Sequence, residues 1–302
     1  MELVENTDGQ GNTIIFKRCM GRTFDRDTRG NVKDQLDKIA SFQTRPDDVL
    51  LCTFPRSGTH WVFNMARMIQ TGTLQYSGTP EMMEFQDISI IDRMGSPRMF
   101  HTHLPYPFIP KGAMEGQLKI IYVLRNPKDA ACSYFTFLSK VENTCYRGNM
   151  EGYLNAFLSE EFIGSGGSWF THTKEWNSAM AANPDLNILF LRFEDLKKLA
   201  NERSVKNILR IASFLKVDRD EEFLKKVEET ASFDNLKKEH ATSAGESELW
   251  KHLGDNGRMP IYKKGIVGEW KTMLTVAQNE KFDRVYKEKM MDMTGEISFS
   301  YD

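Results

Sequence analysis

A basic turn lies between an apolar run and a helical pattern in the stretch CTFPRSGTHW, residues 52–61. The run ends at Pro55, Gly58 favours a tight turn, and Thr59 can begin a helix. The first N–H groups of a helix have no partner inside it, so together with the charge of Arg56 they attract anions. Further donors are available from Ser57, Thr59 and His60. The pattern predicts a cradle for a phosphate or sulfate group.

A purely structural interpretation of this turn remains open. In that interpretation Arg56 is a surface charge and Thr59 only caps a helix. The Walker A pattern G-x-x-x-x-G-K-[ST] is absent from the sequence, so the turn does not predict a nucleotide loop of that type.

A second basic turn, LRNPKD at residues 124–129, also follows an apolar run. Ligands of open parallel sheets bind beyond the carboxyl ends of the strands, which is where Arg56 and Arg125 would both lie. Two cationic strand ends predict two anionic groups on the ligand. Ser133, about one helical turn after Asp129, can bind the same ligand or pack in a contact of small residues.

A histidine pair stands between these two turns, in the segment FHTHLP at residues 100–105. His103 precedes Leu-Pro, which predicts a strand end or loop where an imidazole can act as a general base near neutral pH. Alternatively, His101 and His103 can bind a metal ion. We expect no metal, because the sequence has no further cluster of ligands with suitable spacing.

A basic pair, Lys263 and Lys264, lies before Gly265 near the C-terminal end of the sequence. Beside a flexible glycine, the pair can close over a phosphate group. It can equally be a solvated charge pair of a surface loop.

Three continuous apolar runs predict the buried strands that carry these groups, at residues 49–54, 118–124 and 188–193. A helical pattern follows each run. Strands that alternate with helices predict an α/β fold in which helices flank a central parallel sheet, giving a single three-layer domain. We assign residues 31–302 to this domain, and we expect the polar, glycine-rich residues 1–30 to form an N-terminal arm or lid.

Composition limits the class of protein. The chain has 302 residues, with 40 Lys and Arg against 42 Asp and Glu, and a net charge of −2. Such a balance argues against nucleic acid as a partner. No apolar stretch approaches the roughly 18 residues of a membrane span, so we expect no membrane partner. The four cysteines show neither zinc spacing nor a disulfide framework, and the first residues are acidic and polar, so we predict a cytoplasmic protein.

The ordered motifs of the chain resemble those of the cytosolic sulfotransferase family, from about Ser41 to Met290. SFQTRPDDVLLCTFPRSGTHW is similar to the family's phosphosulfate-binding segment, and YVLRNPKDAACSYF to its 3′-phosphate segment. THLP matches the catalytic-histidine segment, and KKGIVGEWK the closing C-terminal loop. The resemblance implies one α/β domain with a P-loop-like phosphosulfate-binding turn.

The resemblance also implies an activity, the transfer of a sulfuryl group from 3′-phosphoadenosine 5′-phosphosulfate (PAPS) to a hydroxyl or amine. His103 would be the general base, and Arg56 and Ser133 would complete the catalytic group. The implied acceptor is a small, largely apolar molecule such as a phenol, a steroid or another alcohol. PAPS and its product PAP, 3′-phosphoadenosine 5′-phosphate, would be bound by Arg56, Ser57, Gly58, Thr59, His60, Trp61, Arg125, Ser133, Phe193, Ser232, Phe233, Lys263, Lys264 and Gly265.

Several positions depart from the family pattern. Arg56 replaces the usual Lys and keeps its charge, but it is bulkier and cannot act as a proton donor. His101 replaces a frequent Lys, so a fixed cation there is lost or becomes dependent on pH. Phe193 and Ala231 replace a usual Tyr and Thr. Because of these departures, the alternative of a family member that binds PAPS or PAP with little turnover stays open. A metal-dependent phosphotransferase is a weaker alternative.

The segment KTMLTVAQNE at residues 271–280 matches the family's K-x-x-x-T-V-x-x-x-E dimer motif. The resemblance implies a homodimer that pairs through Lys271, Thr275, Val276 and Glu280. An ordinary amphipathic helix start is the alternative.

Overall fold

The computed structural model describes residues 2–141, 146–160, 164–197, 203–243, 261–262 and 265–293. Its strands are β1 Glu2–Thr7, β2 Thr13–Cys19, β3 Arg22–Asp25, β4 Val49–Thr53, β5 Met99–Thr102, β6 Lys119–Leu124 and β7 Ile188–Arg192. Strands β5, β4, β6 and β7, in that order, form a parallel sheet. The α/β fold predicted from the sequence is confirmed.

Helices occupy most of the remaining described chain. They are α1 Val32–Ala40, α2 Thr59–Thr71, α3 Ile88–Asp92, α4 Lys111–Met114, α5 Pro127–Leu138, α6 Met150–Leu158, α7 Trp169–Ala182, α8 Phe193–Lys197, α9 Arg203–Leu215, α10 Glu221–Thr230, α11 Phe233–Thr242, α12 Trp270–Met273 and α13 Val276–Met290, with a 3-10 helix at Tyr106–Phe108. No helix in these described ranges is long and apolar enough to span a lipid bilayer.

Both faces of the parallel sheet are buried. Along β4, Leu50 and Cys52 belong to one apolar cluster, whereas Val49 and Leu51 belong to a second. Strand β6 alternates between the same two clusters. Successive side chains of a strand point to opposite faces, so a strand covered on both sides reads as a continuous apolar run. This is why three of the four strands are predictable from the sequence, to within one residue at each end.

The predicted apolar runs do not include the fourth strand, β5, because polar residues interrupt its pattern; only a strand end or loop at His103 was predicted. Its sequence, MFHT, follows Arg98. The Arg98 side chain is fully buried, where its Nη2 atom pairs with an Asp48 oxygen at 2.6 Å. A buried, paired charge of this kind looks like a surface residue in the sequence.

Residues 2–25, within the predicted arm or lid, form an antiparallel sheet of β1, β2 and β3. Phe16 and Phe24 of this sheet are buried in the larger apolar cluster. The Phe24 ring packs edge-on against Phe108, with ring centres 5.8 Å apart. Strand β3 therefore lies beside the chain that follows His103.

Candidate active site

The turn after β4 has an unusual backbone. Arg56 and Gly58 both have positive φ angles, +66° and +98°. A Cβ atom on Gly58 would lie 2.7 Å from Cδ2 of Phe193. A glycine is required here because only a residue without a side chain fits the left-handed backbone against this ring. The turn brings the start of α2 directly against Phe193.

The first turn of α2 has free donors. No side chain caps this helix, and its first N–H groups have no partner within the helix. The Ser57 N–H is not among them, because it donates to the Phe54 carbonyl at 3.2 Å. The hydroxyls of Thr59 and Thr53 lie 2.6 Å apart and join the helix start to the end of β4.

Arg56 lies across the cavity wall towards α5. Its Nε donates to the Ser133 hydroxyl at 3.3 Å, and its Nη2 to the Ile261 carbonyl at 3.0 Å. The guanidinium also stacks over Phe137, 4.9 Å from the ring centre. Burial and the charge of Arg125 lower the Arg56 pKa to about 10. Arg56 therefore remains a cation at neutral pH.

Arg125, at the end of β6, lies next to Arg56. Its Nη1 donates to the Arg56 carbonyl at 2.7 Å, and its guanidinium covers the Phe193 ring at 4.4 Å. Its Nε is buried and makes no hydrogen bond to a described residue. Two adjacent cations, Arg56 half-buried and Arg125 buried, with an unused donor form an environment that an anion would stabilise.

His103 lies on the other side of the turn, immediately after β5. Its Nδ1 atom is 2.8 Å from the Thr53 carbonyl oxygen. A carbonyl oxygen only accepts hydrogen bonds, so Nδ1 carries the ring proton and Nε2 carries the lone pair. Burial, opposed by the Thr53 hydrogen bond and aided by the charge of Arg56, lowers the His103 pKa to about 4. At neutral pH the ring is therefore a base ready to accept a proton.

This environment predicts that His103 titrates near pH 4, below the ordinary value of 6.5. Its ring ¹H–¹³C signals, assigned by their loss in His103→Ala, should stay at the neutral-imidazole position until the pH falls below about 5. Titration by NMR over the folded pH range measures this directly. A midpoint between about pH 6 and 7 would show that the ring is hydrated and not in this environment.

Glu84 positions His103, and the sequence did not predict it. One carboxylate oxygen accepts the backbone N–H of His103 at 2.6 Å, and the other accepts the Thr102 hydroxyl at 2.8 Å. Burial raises the pKa of Glu84 to about 7. The possible sequence signal was the segment EMMEFQD, which contains Glu84. In the structure, Met82 of this segment pairs with His101 in an isolated β-bridge, and this places Glu84 beside the end of β5.

Two further histidines adjoin His103. The ring centre of His101 lies 5.2 Å from that of His103 and 6.2 Å from that of His60. Burial holds the pKa values of His101 and His60 well below the ordinary value. His101 is therefore neutral at physiological pH. No three metal-ligating side chains converge as a metal site within the part of the chain that the structure describes.

These groups line one cavity. It contains the following residues predicted from the sequence: Arg56, Gly58, Thr59, His60, Trp61, His103, Arg125, Ser133, Phe193, Phe233 and Gly265. Ser57 and Ser232 are not part of its lining. Lys263 and Lys264 lie outside the described residues. Most of the predicted site is thus assembled from distant parts of the chain.

Four rings of the cavity lining meet in two pairs. Trp61 and Phe193 meet edge-on at 5.4 Å, and Phe233 meets Tyr262 at 5.5 Å. Gly265 packs directly against Phe233 and has a positive φ angle of +61°. Flat aromatic rings with a nearby cation such as Arg125 suit the binding of an aromatic nucleobase.

Asp129, at the start of α5, anchors the chain that follows Gly265. Its two carboxylate oxygens accept the N–H groups of Gly268 at 2.7 Å and Trp270 at 3.1 Å. Arg125 adds a bond from Nη2 to the Ile266 carbonyl at 3.3 Å. The second basic turn therefore also holds the C-terminal segment over the cavity, a role that its sequence pattern did not predict.

Comparisons with known proteins agree with this fold and site. A family model described as a sulfotransferase domain matches residues 46–294. The amine sulfotransferase of Oryctolagus cuniculus is 34% identical over 278 residues, which cover 88% of each chain. Sulfotransferase 1B1 of Mus musculus is 33% identical over 275 residues, covering 86% of this chain and 88% of that one.

Solved structures lead to the same family. The crystal structure of mouse sulfotransferase SULT7A1 complexed with PAP is 29% identical and superposes with a TM-score of 0.74, covering 92% of this chain and 94% of that one. Retinol dehydratase in complex with androsterone and PAP has the same fold, with a TM-score of 0.74 at 20% identity over 96% of this chain and 93% of that chain. The match over residues 46–294 and the relatives at 33% and 34% identity establish that the chain belongs to the sulfotransferase family and is an enzyme of that class.

Proposed function

We propose that this protein transfers a sulfuryl group from PAPS to the hydroxyl or amine of a small, largely apolar acceptor. One observation carries the proposal. The neutral His103 ring, whose Nε2 is unprotonated, lines the same cavity as the cations Arg56 and Arg125. A base for the acceptor and charges for the departing phosphate are the two things that sulfuryl transfer needs.

The cavity fits the nucleotide by its chemistry. The unused Nε of Arg125 and the uncapped start of α2 are donors for phosphate oxygens. The rings of Trp61, Phe193 and Phe233 would flank the adenine. The complex of a related mouse sulfotransferase with PAP supports the same ligand. Lys263 and Lys264, outside the described residues, are proposed to complete the 3′-phosphate site with Arg125 and Ser133.

His103 and Arg56 divide the chemical work. PAPS supplies the sulfuryl group, whose bond to the bridging phosphate oxygen breaks as the acceptor oxygen bonds to sulfur. His103 takes the acceptor proton on Nε2, while Thr53 and Glu84 keep the ring oriented. Arg56 balances the negative charge on the departing oxygen, and Ser133 holds the Arg56 guanidinium in place.

The acceptor portion of the cavity is largely apolar. Its wall includes Met82, Phe85, Phe137, Leu138 and Val141. Such a wall suits phenols, steroids and other alcohols. Relatives support this range, because one is named as an amine sulfotransferase and a structural neighbour binds androsterone.

A transfer assay with PAPS and a panel of phenols, steroids and amines tests the proposal. We expect a sulfated product from at least one acceptor. The alternative is a family member that binds PAP with little turnover, which the neutral His101 favours, since a frequent family cation is missing there. Calorimetry with PAP separates the two. Tight binding without any transfer would favour the alternative, and the absence of both would refute the proposal.

We also propose the homodimer implied by the motif at residues 271–280. Thr275 begins α13 with a reciprocal cap, in which its hydroxyl accepts the Gln278 N–H at 3.2 Å and the Gln278 side chain accepts the Thr275 N–H at 2.9 Å. Val276, the next residue, is 75% exposed. A rigid, exposed apolar residue beside Lys271 and Glu280 supports a small symmetric contact.

Val276→Asp is expected to convert the dimer to a monomer, because it puts two like charges at the symmetric contact. Light scattering after size-exclusion chromatography at several concentrations measures the mass. Met291→Asp is the matched control, since Met291 is 77% exposed and follows the other end of the same helix. A dimer that persists in Val276→Asp, or a monomer in both the parent and the control, would contradict this contact.

We propose a cytoplasmic location as well. Among the described cysteines, Cys19 and Cys52 are free thiols, as expected in a reducing compartment. Release of the protein by selective permeabilisation of the plasma membrane tests this location, and retention in the membrane or organelle fraction would refute it.

A further inference from the structure

Two carboxylates line the same cavity as His103, at the end of β3. Asp25 and Asp27 are partly exposed, and both belong to the cavity wall. One Asp25 oxygen accepts the Asp27 N–H at 2.9 Å. Neither carboxylate makes a further hydrogen bond, or an ion pair within 4.0 Å, with another residue that the structure describes. Carboxylates inside a cavity without a cation are costly unless a ligand supplies one.

The position of these carboxylates places them on the acceptor side. The Asp25 N–H donates to the Gly164 carbonyl at 2.6 Å, and the neighbouring Phe24 packs against Phe108. Strand β3 is therefore held beside the chain that follows His103. The cations and rings that suit the nucleotide come from other elements, at the ends of β4, β6 and β7.

Tyr134 is an independent sign of a polar ligand group here. Its side chain lines the cavity, and the residue is only 6% exposed. Its hydroxyl makes no hydrogen bond to any residue in the described ranges. Burial raises the pKa of Tyr134, the charge of Asp25 adds to this rise, and the charge of Arg56 opposes it. A phenol hydroxyl in a cavity wall that has no protein partner is available to a ligand.

Two cations act on the pKa values of both carboxylates, but neither forms an ion pair with them within 4.0 Å. The Lys17 ammonium lies nearby, but it donates to the backbone carbonyls of Thr28 and Gly30 at 2.5 and 3.1 Å. Arg26, beside the pair in sequence, is exposed. Burial raises the pKa of Asp25 to about 6. The carboxylate is therefore mostly ionised above pH 7, as binding of a cation requires.

We propose that Asp25 and Asp27, together with the Tyr134 hydroxyl, bind the ammonium group of the acceptor. The favoured acceptors are then phenols or alcohols that carry a cationic amine at the end distant from the reacting hydroxyl. This inference rests on the proposed sulfuryl transfer and narrows its substrate class.

The hydroxyl, and not the amine, is the nucleophile of such an acceptor. A protonated amine has no lone pair with which to attack sulfur. The hydroxyl oxygen forms the new bond to sulfur, its proton goes to Nε2 of His103, and the phosphate oxygen leaves with the electron pair of the broken bond. The amine keeps its proton throughout.

Two matched phenols test the proposal in the full-length protein. Tyramine carries the cationic amine, and 4-ethylphenol has the same ring and chain length without it. We expect kcat/KM for tyramine to exceed that for 4-ethylphenol by about tenfold or more, the usual scale of a charged hydrogen bond. Mass spectrometry should place the sulfuryl group of the tyramine product on oxygen.

Variants connect the preference to these residues. The double variant Asp25→Asn and Asp27→Asn keeps the side-chain shapes and removes both charges, so the ratio of the two kcat/KM values should fall about tenfold or more. Asp34→Asn is the control, because Asp34 is an exposed residue of α1 outside the cavity. Equal use of the two phenols by the parent protein, or an unchanged ratio in the double variant, would overturn the proposal.

Calorimetry separates this proposal from the proposed function. Tyramine and 4-ethylphenol are titrated into the protein already saturated with PAP, a measurement that needs no turnover. If the protein transfers no sulfuryl group but binds tyramine more tightly, and loses this preference in the double variant, the function fails and the amine site stands. If 4-ethylphenol is sulfated normally and tyramine binds no better, the amine site fails and the function stands.

Discussion

His103→Ala should lower kcat for transfer to a neutral phenol by about 10²–10⁴-fold, the range expected for loss of a positioned general base. The reason is the arrangement of the ring. The Thr53 carbonyl fixes the proton on Nδ1, and Glu84 holds the backbone N–H, so Nε2 is the basic atom in the cavity. Alanine keeps the backbone bond to Glu84 but provides no base. Rates at saturating PAPS measure the effect.

Binding of PAP is the control for this variant. His103 contributes no phosphate contact in the proposed arrangement. The Kd for PAP should therefore change by less than about threefold, although kcat falls by orders of magnitude. The pH profile provides a second control, since activity of the parent should persist well below pH 6.5, where an ordinary histidine would be protonated. A kcat for His103→Ala within about threefold of the parent value would refute the assignment of His103 as the base.

The strands that carry the cations were predictable because their environment is uniform. Each is covered on both faces, so β4 and β6 are continuous apolar runs. Ligands of parallel sheets bind at the carboxyl ends of the strands, and this alone places Arg56 near Arg125. The structure confirms that neighbourhood with a hydrogen bond of 2.7 Å from Arg125 to the Arg56 carbonyl.

Residues that act through tertiary contacts were not predictable in this way. Glu84 lies 19 residues before His103, and an isolated β-bridge brings the two together. Asp25 belongs to a small antiparallel sheet that a polar sequence concealed. A carboxylate in the sequence is far more often solvated than buried in a cavity. No local pattern distinguishes these two from the other acidic residues of the chain.

The histidine pair shows a different limit. The sequence indicates that His101 stands where the family often has Lys, which leaves its charge open. The structure decides the question through burial, because the ring lies between two other histidines and its pKa falls well below the ordinary value. The charge state of a histidine depends on its desolvation by residues that are distant in sequence, and a short motif does not contain this information. Among the described lysines and arginines, Arg56 and Arg125 are then the ones that line the cavity.

Arg56→Met follows as the second large effect. It is expected to lower kcat by about 10²–10³-fold, the usual cost of removing a main stabiliser of the departing oxygen. Methionine preserves the apolar contact with Phe137 but neither the charge nor the bonds to Ser133 and Ile261. Initial rates with a neutral phenol at saturating PAPS measure the loss. Arg93→Met is the control, because Arg93 is an exposed residue that ends α3, away from the cavity.

Arg56→Lys separates charge from shape. Lysine retains the cation, but a single ammonium group cannot reproduce the planar fork that bonds to Ser133 and Ile261 from two different nitrogens. If charge on the leaving oxygen dominates, Arg56→Lys should keep kcat within about tenfold of the parent, far above Arg56→Met. If both variants lose activity equally, the contribution of Arg56 is the placement of Ser133 and the C-terminal segment and not its charge. Equal activity in all three proteins would remove Arg56 from the catalytic group, and Arg125 would then be the cation that balances the departing phosphate.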